Sequence, residues 1–200
     1  IMHVGPLDEE SDASINRQLE INLRAVIHGT REAMRRMKPR GTGHIVNIAS
    51  LAGRAAGPNL ATYCATKHGV VGLSEAVRAE LRGTGVEVTV VMPSYAQTEL
   101  ASGVPNLRGV KRVSPEEIAA STIAALKVPR FDVWSPRRLA FIVGAGAIVL
   151  RRLREAIARA MNAEGLKKTD QSVRAAYEAR AAASAPAADE DVNEAEAVGR

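Results

Sequence analysis

Tyr63 and Lys67 stand four residues apart in the stretch ATYCATKHG, Ala61 to Gly69. That spacing is about one turn of an α-helix, so the two side chains share a face. A phenol titrates near ~10 in water, and a tyrosine that exchanges protons near neutrality needs a neighbouring positive charge to stabilise its phenolate. Lys67 is placed to supply that charge. Ser50 comes earlier, at the end of a short β-branched run, and a hydroxyl beside the phenol would hold a carbonyl or alcohol oxygen in line. Acid/base catalysis at such an oxygen is the chemistry these three groups can perform. Taken alone, a tyrosine and a lysine at this spacing are more often a solvated helix face, so the elements that position them decide the matter.

Residues 14–38 carry Ile15, Leu19, Val26 and Ile27 at helical spacing and are stopped by Pro39-Arg40-Gly41, which predicts one long amphipathic helix. GHIVNI, Gly43 to Ile48, predicts a strand, followed by a loop containing Gly53, Gly57 and Pro58. From about Ala61 to Leu81 the helical period returns through Val70, Val71, Leu73, Val77 and Leu81, and Gly83-Thr84-Gly85 closes it. VEVTVVM, Val86 to Met92, is almost continuously β-branched, as suits a strand covered on both faces of a parallel sheet. Ser114-Pro115-Glu116-Glu117 reads as N-cap, first-turn proline and capping-box glutamate of a helix through about Leu126. Phe131 to Trp134 reads as a last short strand. Helix, strand, helix and strand with short connections predict an α/β fold: part of a Rossmann-type, doubly wound parallel sheet, with helices at the C-terminal side. Such sheets bind ligands beyond the carboxyl ends of their strands, where Ser50 and the segment after Pro93 would lie.

Ile15, Leu19, Asn22 and Val26 follow one another at helical intervals, so the Asn22 amide falls within the apolar stripe. A buried amide must be hydrogen-bonded or it costs on the order of 1–3 kcal/mol. A structural asparagine satisfied by nearby backbone is the plainer reading. Cys64, next to Tyr63, reads as a small buried filler, because nothing around it marks an activated thiolate. His3, His28, His44 and His68 show no metal-ligand spacing, and no metal site is expected.

Three stretches, INLRAVIHGT, GHIVNIASLAGRAAGPNLATYCATKHGVVGLSEAVRAEL and VVMPSYAQTEL, resemble the classical short-chain dehydrogenase/reductase family, over the region from Leu19 to Leu100. The resemblance implies an NAD(P)-dependent oxidoreductase that interconverts an alcohol and a carbonyl by hydride transfer. Through it, Tyr63 matches the acid/base, and Lys67 matches the partner that lowers its pKa and bonds the nicotinamide ribose. Ser50 matches the serine that orients substrate together with the tyrosine. Asn22 matches the helix asparagine of a proton relay leading to the lysine. Pro93 and Thr98 fall in PSYAQT, which resembles the family's Pro-Gly-x-Val-x-Thr loop, where backbone near the proline and the threonine hydroxyl contact the nicotinamide carboxamide. Ser94 and Ala96 depart from that pattern. The resemblance also implies NAD or NADP as cofactor, a small-molecule alcohol or ketone as substrate, and a homo-oligomer paired through the helices of residues 14–38 and 61–81. The Leu, Val and Pro content of residues 100–112 points to a hydrophobic substrate.

The family's glycine-rich turn, whose N–H groups approach the dinucleotide pyrophosphate, does not occur in these 200 residues, nor does its Asn-Asn-Ala-Gly strand end. The chain therefore reads as roughly the last two-thirds of such an enzyme, with the first βαβ half lost, truncated or left out. An alternative of another class is a non-catalytic oligomerisation or binding module derived from the fold. A 46% hydrophobic composition suffices for one domain with a substantial core, expected over residues 1–178. An Ala-rich and then acidic disordered tail is expected over residues 179–200. The net charge of +5 is not gathered into a basic helix with interleaved aromatics, which argues against nucleic acid as a partner. One cysteine and no recognisable leader fit a reducing, cytoplasmic setting. Leu139 to Leu150 is an apolar run flanked by arginine pairs, too short to span ~30 Å of hydrocarbon. It would cover a pocket as a C-terminal helix or make weak contact with a membrane surface.

Overall fold

The computed structural model describes residues 1–105, 112–141, 143 and 169–184. Three strands, β1 (Gly43–Ile48), β2 (Val86–Pro93) and β3 (Asp132–Ser135), form a parallel sheet in the order β1-β2-β3. Ile48 lies opposite Val91 and Pro93 opposite Ser135, so the carboxyl ends of neighbouring strands stand side by side. Helices α1 (Asp12–Leu19), α2 (Ala25–Met37), α3 (Ala61–Glu80), α4 (Pro115–Lys127) and α5 (Gln171–Ser184) surround them.

β2 is the central strand, and its alternation sorts the layers. Val86 and Val88 pack with Ile45, Val77 and Leu81, beneath Ala33, Met34 and Met37 of α2. Val90 and Met92 continue that face against Val70 and Val71 of α3. Val91 points the other way, into a cluster with Ala125 of α4 and Val133 of β3. Helices on both faces of a parallel sheet are the expected doubly wound arrangement, here as a partial sheet. The crossovers β1-α3-β2 and β2-α4-β3 explain why β2 is buried at every position but Glu87: both of its faces are covered beyond that residue. Ser114 and Glu117 complete the capping box predicted for α4.

Residues Asp12–Met37 form one unbroken helical run, as predicted over residues 14–38, but its turns are not uniform. A π-helical turn, Glu20–Arg24, separates α1 from α2. Its wider turn rotates the residues beyond it relative to a constant 3.6-residue pattern. Leu19 and Ile27 consequently stay 39% and 41% exposed, while Gln18, Asn22 and Thr30 are buried. Thr30 Oγ1 donates to Asn47 Oδ1 (3.3 Å) and Asn47 Nδ2 donates to Ser74 Oγ (3.0 Å), a buried polar seam joining α2, β1 and α3.

Helix α5 extends to Ser184, past the point at which the composition placed a disordered tail; alanine has the highest helix propensity of any residue, and this segment is rich in it. Residues 185–200 lie outside the described residues, as does most of the run Leu139 to Leu150, of which Leu139 is buried and Phe141 is exposed. No helix among the described residues is long and apolar enough to cross a membrane.

Candidate active site

The site is built where β1 runs out. Ala49 N donates to Val91 O (2.8 Å) and Ser94 N to Ser135 O (2.8 Å), which holds the three strand ends abreast. Ser50 is extended, and its Oγ accepts from Ala52 N at 3.1 Å, starting the turn Leu51–Gly53. Gly53 then rests on α3: a Cβ at this position would lie 2.7 Å from Lys67 O. Only a residue without a side chain allows that approach, and it places the serine beside the helix that carries Tyr63.

Tyr63 is buried in a small cluster with Met2, Val4, Leu60, Cys64 and Val104. Burial pushes its phenol up to about 12, against the opposing pull of side-chain hydrogen bonding with Ser50 and of the positive charge of Arg174. The Lys67 ammonium lies over the ring of Tyr63, 5.8 Å from its centroid, and donates to Ile48 O at 3.1 Å. Burial lowers Lys67 to about 8. Burial also pushes the Cys64 thiol up, so Cys64 is a packed side chain and not a nucleophile.

Asn22 meets this helix between the two. Its Nδ2 donates to Ile1 O (2.7 Å) and lies 3.4 Å from Thr66 Oγ1, while Ile1 N donates to its Oδ1 (2.9 Å). Thr66 Oγ1 in turn donates to Tyr63 O at 2.7 Å. Backbone thus satisfies the buried amide, and the same side chain touches the tyrosine–lysine helix. Pro93 is buried at the end of β2. Thr98 is exposed and does not cap the turn Glu99–Ala101 that it precedes; Gln97 N, donating to Val113 O (2.8 Å), anchors this loop. The structure therefore gathers Ser50, Tyr63, Lys67 and Asn22, sets Pro93 at the adjoining strand end, and leaves Thr98 on the rim.

Sequence reasoning passed over Arg174, Tyr95 and Tyr177. Arg174 is fully buried and Tyr177 nearly so, both on α5. Tyr95 packs against the Tyr63 cluster, and burial pushes it up to about 12. A recess of about 220 Å³ lies between Met2, Gln18 and Tyr177. A larger one of about 540 Å³, lined by Ala124, Val133, Trp134 and Arg137, lies between α4 and β3 and holds none of the predicted residues. No group of three or more His, Cys, Asp or Glu side chains among the described residues could hold a metal ion.

A parallel sheet with helices on both faces, carrying a serine, a buried tyrosine and a lysine at the carboxyl ends of its strands, is a partial α/β sheet of the Rossmann type. The chain belongs to the short-chain dehydrogenase family, whose model matches residues 1–107. It is 30% identical to the D-beta-hydroxybutyrate dehydrogenase of Cupriavidus necator over 158 residues, 78% of this chain and 61% of that one. A short chain dehydrogenase from Burkholderia cenocepacia, solved in complex with NADP, superposes with a TM-score of 0.68 at 24% identity, covering 81% of this chain and 67% of the other. A 4-hydroxyisoleucine dehydrogenase, solved with NADH and succinate, gives 0.59 at 26% identity, covering 67% and 62%. The chain spans only part of the curated relatives it matches, 51%, 61% and 50% of three of them.

Proposed function

We propose that the protein is an NAD(P)-dependent oxidoreductase that interconverts an alcohol and a carbonyl, with Tyr63 as the acid/base. The observation that carries this reading is the Ser50 hydroxyl beside the buried Tyr63 phenol, with the Lys67 ammonium over the ring. A solved relative in the same fold holds NADH. The residues present also fit a nicotinamide nucleotide: Lys67 Nζ carries three N–H donors and spends one on Ile48 O, leaving two for ribose hydroxyls. Thr98 offers an exposed hydroxyl at the adjoining strand end. Bound there, the nicotinamide would give or accept the hydride.

The chain's own residues handle the proton. Ser50 holds the substrate oxygen next to the phenol, and Tyr63 donates its proton to that oxygen in carbonyl reduction or removes one in alcohol oxidation. Burial keeps the Tyr63 phenol protonated and makes it a weak acid, so rapid proton transfer near neutrality needs further positive charge beside it, which Lys67 and a bound nicotinamide would supply. Asn22, bonded into the α3 backbone through Thr66, fixes the helix turn that bears both groups. The exposed Leu19 and Ile27 of α1 and α2 favour pairing of that face with a second copy.

Fluorescence titration of the full-length protein with NADH and NADPH, followed by turnover of a ketone panel, tests the reading. Tyr63→Phe is expected to lower turnover by roughly 10²- to 10⁴-fold while cofactor affinity stays within about twofold. Retained turnover in that variant would overturn the role given to Tyr63, and no nucleotide binding by the wild type would overturn the oxidoreductase reading in favour of a non-catalytic module.

A further inference from the structure

Arg174 is the largest fully buried side chain among the described residues. Its Nη1 donates to Leu100 O at 2.8 Å, its Nε reaches Glu178 Oε1 at 3.4 Å, and its guanidinium lies 4.3 Å from the Tyr177 ring centroid. Nη2 is buried and has no hydrogen-bond partner among the described residues. A guanidinium remains charged at any physiological pH, and Nη2 carries two N–H donors. Leaving a charged donor dry and unpaired is among the less favourable arrangements a fold can hold. Glu178 pairs with the Nε side of the guanidinium, and among the described residues no acceptor reaches Nη2. Glu178 also accepts from His3 Nδ1 (3.0 Å) and is partly exposed, and Tyr177 offers only its ring face.

The position of this donor says what it is for. Leu100, whose carbonyl it grips, packs against the cluster of Tyr63, Cys64 and Val104. Arg174 and Tyr63 therefore flank one small apolar cluster, near enough that the charge of Arg174 acts on the phenol. We propose that Arg174 Nη2 binds an anionic oxygen, the carboxylate of a hydroxy- or keto-acid substrate whose reacting oxygen is held by Ser50 and Tyr63. The assignment rests on the oxidoreductase reading and narrows it from alcohols in general to acids. Arginine suits the task because its planar fork pairs with a carboxylate in a fixed geometry. Tyr177 and Leu100 keep the guanidinium aligned before the acid arrives.

The full-length protein is tested with acetoacetate, levulinate and a longer keto acid, each beside its methyl ester. Two readouts are taken: kcat/KM with NADH or NADPH, and equilibrium binding by calorimetry without nucleotide. The wild type is expected to prefer at least one acid over its ester. Arg174→Met should lower both kcat/KM and affinity for that acid by about 10- to 100-fold, the loss of one charge-assisted hydrogen-bonded contact. The acid-over-ester preference should fall by the same factor, because any effect of the lost charge on Tyr63 is common to both substrates; KM for the nucleotide should stay unchanged, and Arg174→Lys should restore part of the preference. Arg174→Gln, which keeps a donor for Leu100 O, carries the same comparison if the methionine variant does not fold. Equal losses on acid and ester, no acid preference in any pair, or a loss confined to nucleotide affinity would overturn the proposal; the last outcome would assign Nη2 to a cofactor phosphate. Acid binding that depends on Arg174 without any turnover would sink the oxidoreductase reading and leave the anion site standing. Turnover of the esters with no acid preference would do the reverse.

Discussion

Tyr63 and Lys67 are shifted in opposite directions by one cause: burial disfavours whichever form is charged. The consequence for stability follows from counting protons. Between pH 8 and 10.5 the unfolded chain holds more protons on Lys67 than the folded one, so stability rises with pH across that window. Between pH 10 and 12 the folded chain holds more protons on Tyr63 and Tyr95, so their contribution is lost as pH rises. Urea midpoints from pH 7.5 to 10 should therefore climb in the wild type, and Lys67→Met should flatten the climb; an unchanged slope in that variant would show that Lys67 titrates as it does in water. Ser50, Tyr63 and Lys67 were legible in the sequence because one strand end, one loop and one helix turn contain them all. Arg174 was not, because it reaches the Tyr63 cluster through Leu100, 74 residues away in the chain, and an arginine in an alanine-rich helix carries no pattern.

The strands and most helix boundaries could be read directly, since β-branched runs, glycine stops and the Ser114 capping box each act within a few residues. The π turn at Glu20–Arg24 could not, because a periodicity argument assumes a uniform helix and the apolar residues at 19 and 27 satisfy it on paper. At Thr30 α2 meets the sheet through polar bonds, set between the apolar contacts of Val26 on one side and of Ala33, Met34 and Met37 on the other. Asn47→Ala is expected to remove the acceptor of Thr30 and one partner of Ser74, lowering stability by about 1–3 kcal/mol in chemical denaturation. A change below a few tenths of that range would mean that the seam is satisfied some other way.

At the scale of the molecule, α5 closes the side of the Tyr63 cluster that the sheet leaves open. Asp170 N donates to Gly103 O at 3.0 Å, and Gly103 sits at φ +74° with its missing Cβ only 2.8 Å from Asp170 O. Gly103→Val should cost at least about 1–2 kcal/mol from the left-handed backbone alone and push α5 off its seat. Hydrogen exchange should then speed up across residues 171–184 while the amides of β2 keep their protection; uniform acceleration, or none, would show that α5 is not a separate closing element. His3 and Glu178 fasten the same helix to residues at the other extreme of the described chain, 175 positions apart.

That long reach has a meaning during synthesis. A ribosome adding about 5–20 residues each second emits Tyr63, Lys67 and the strands around them on the order of ten seconds before it emits Arg174. Through that interval the helix that bears Tyr63 exists without α5, and the apolar side chains of Met2 and Val4 around it lack that cover. Exposed apolar surface and an unpaired strand edge favour aggregation of the nascent chain most while β2 is already made and α5 is not.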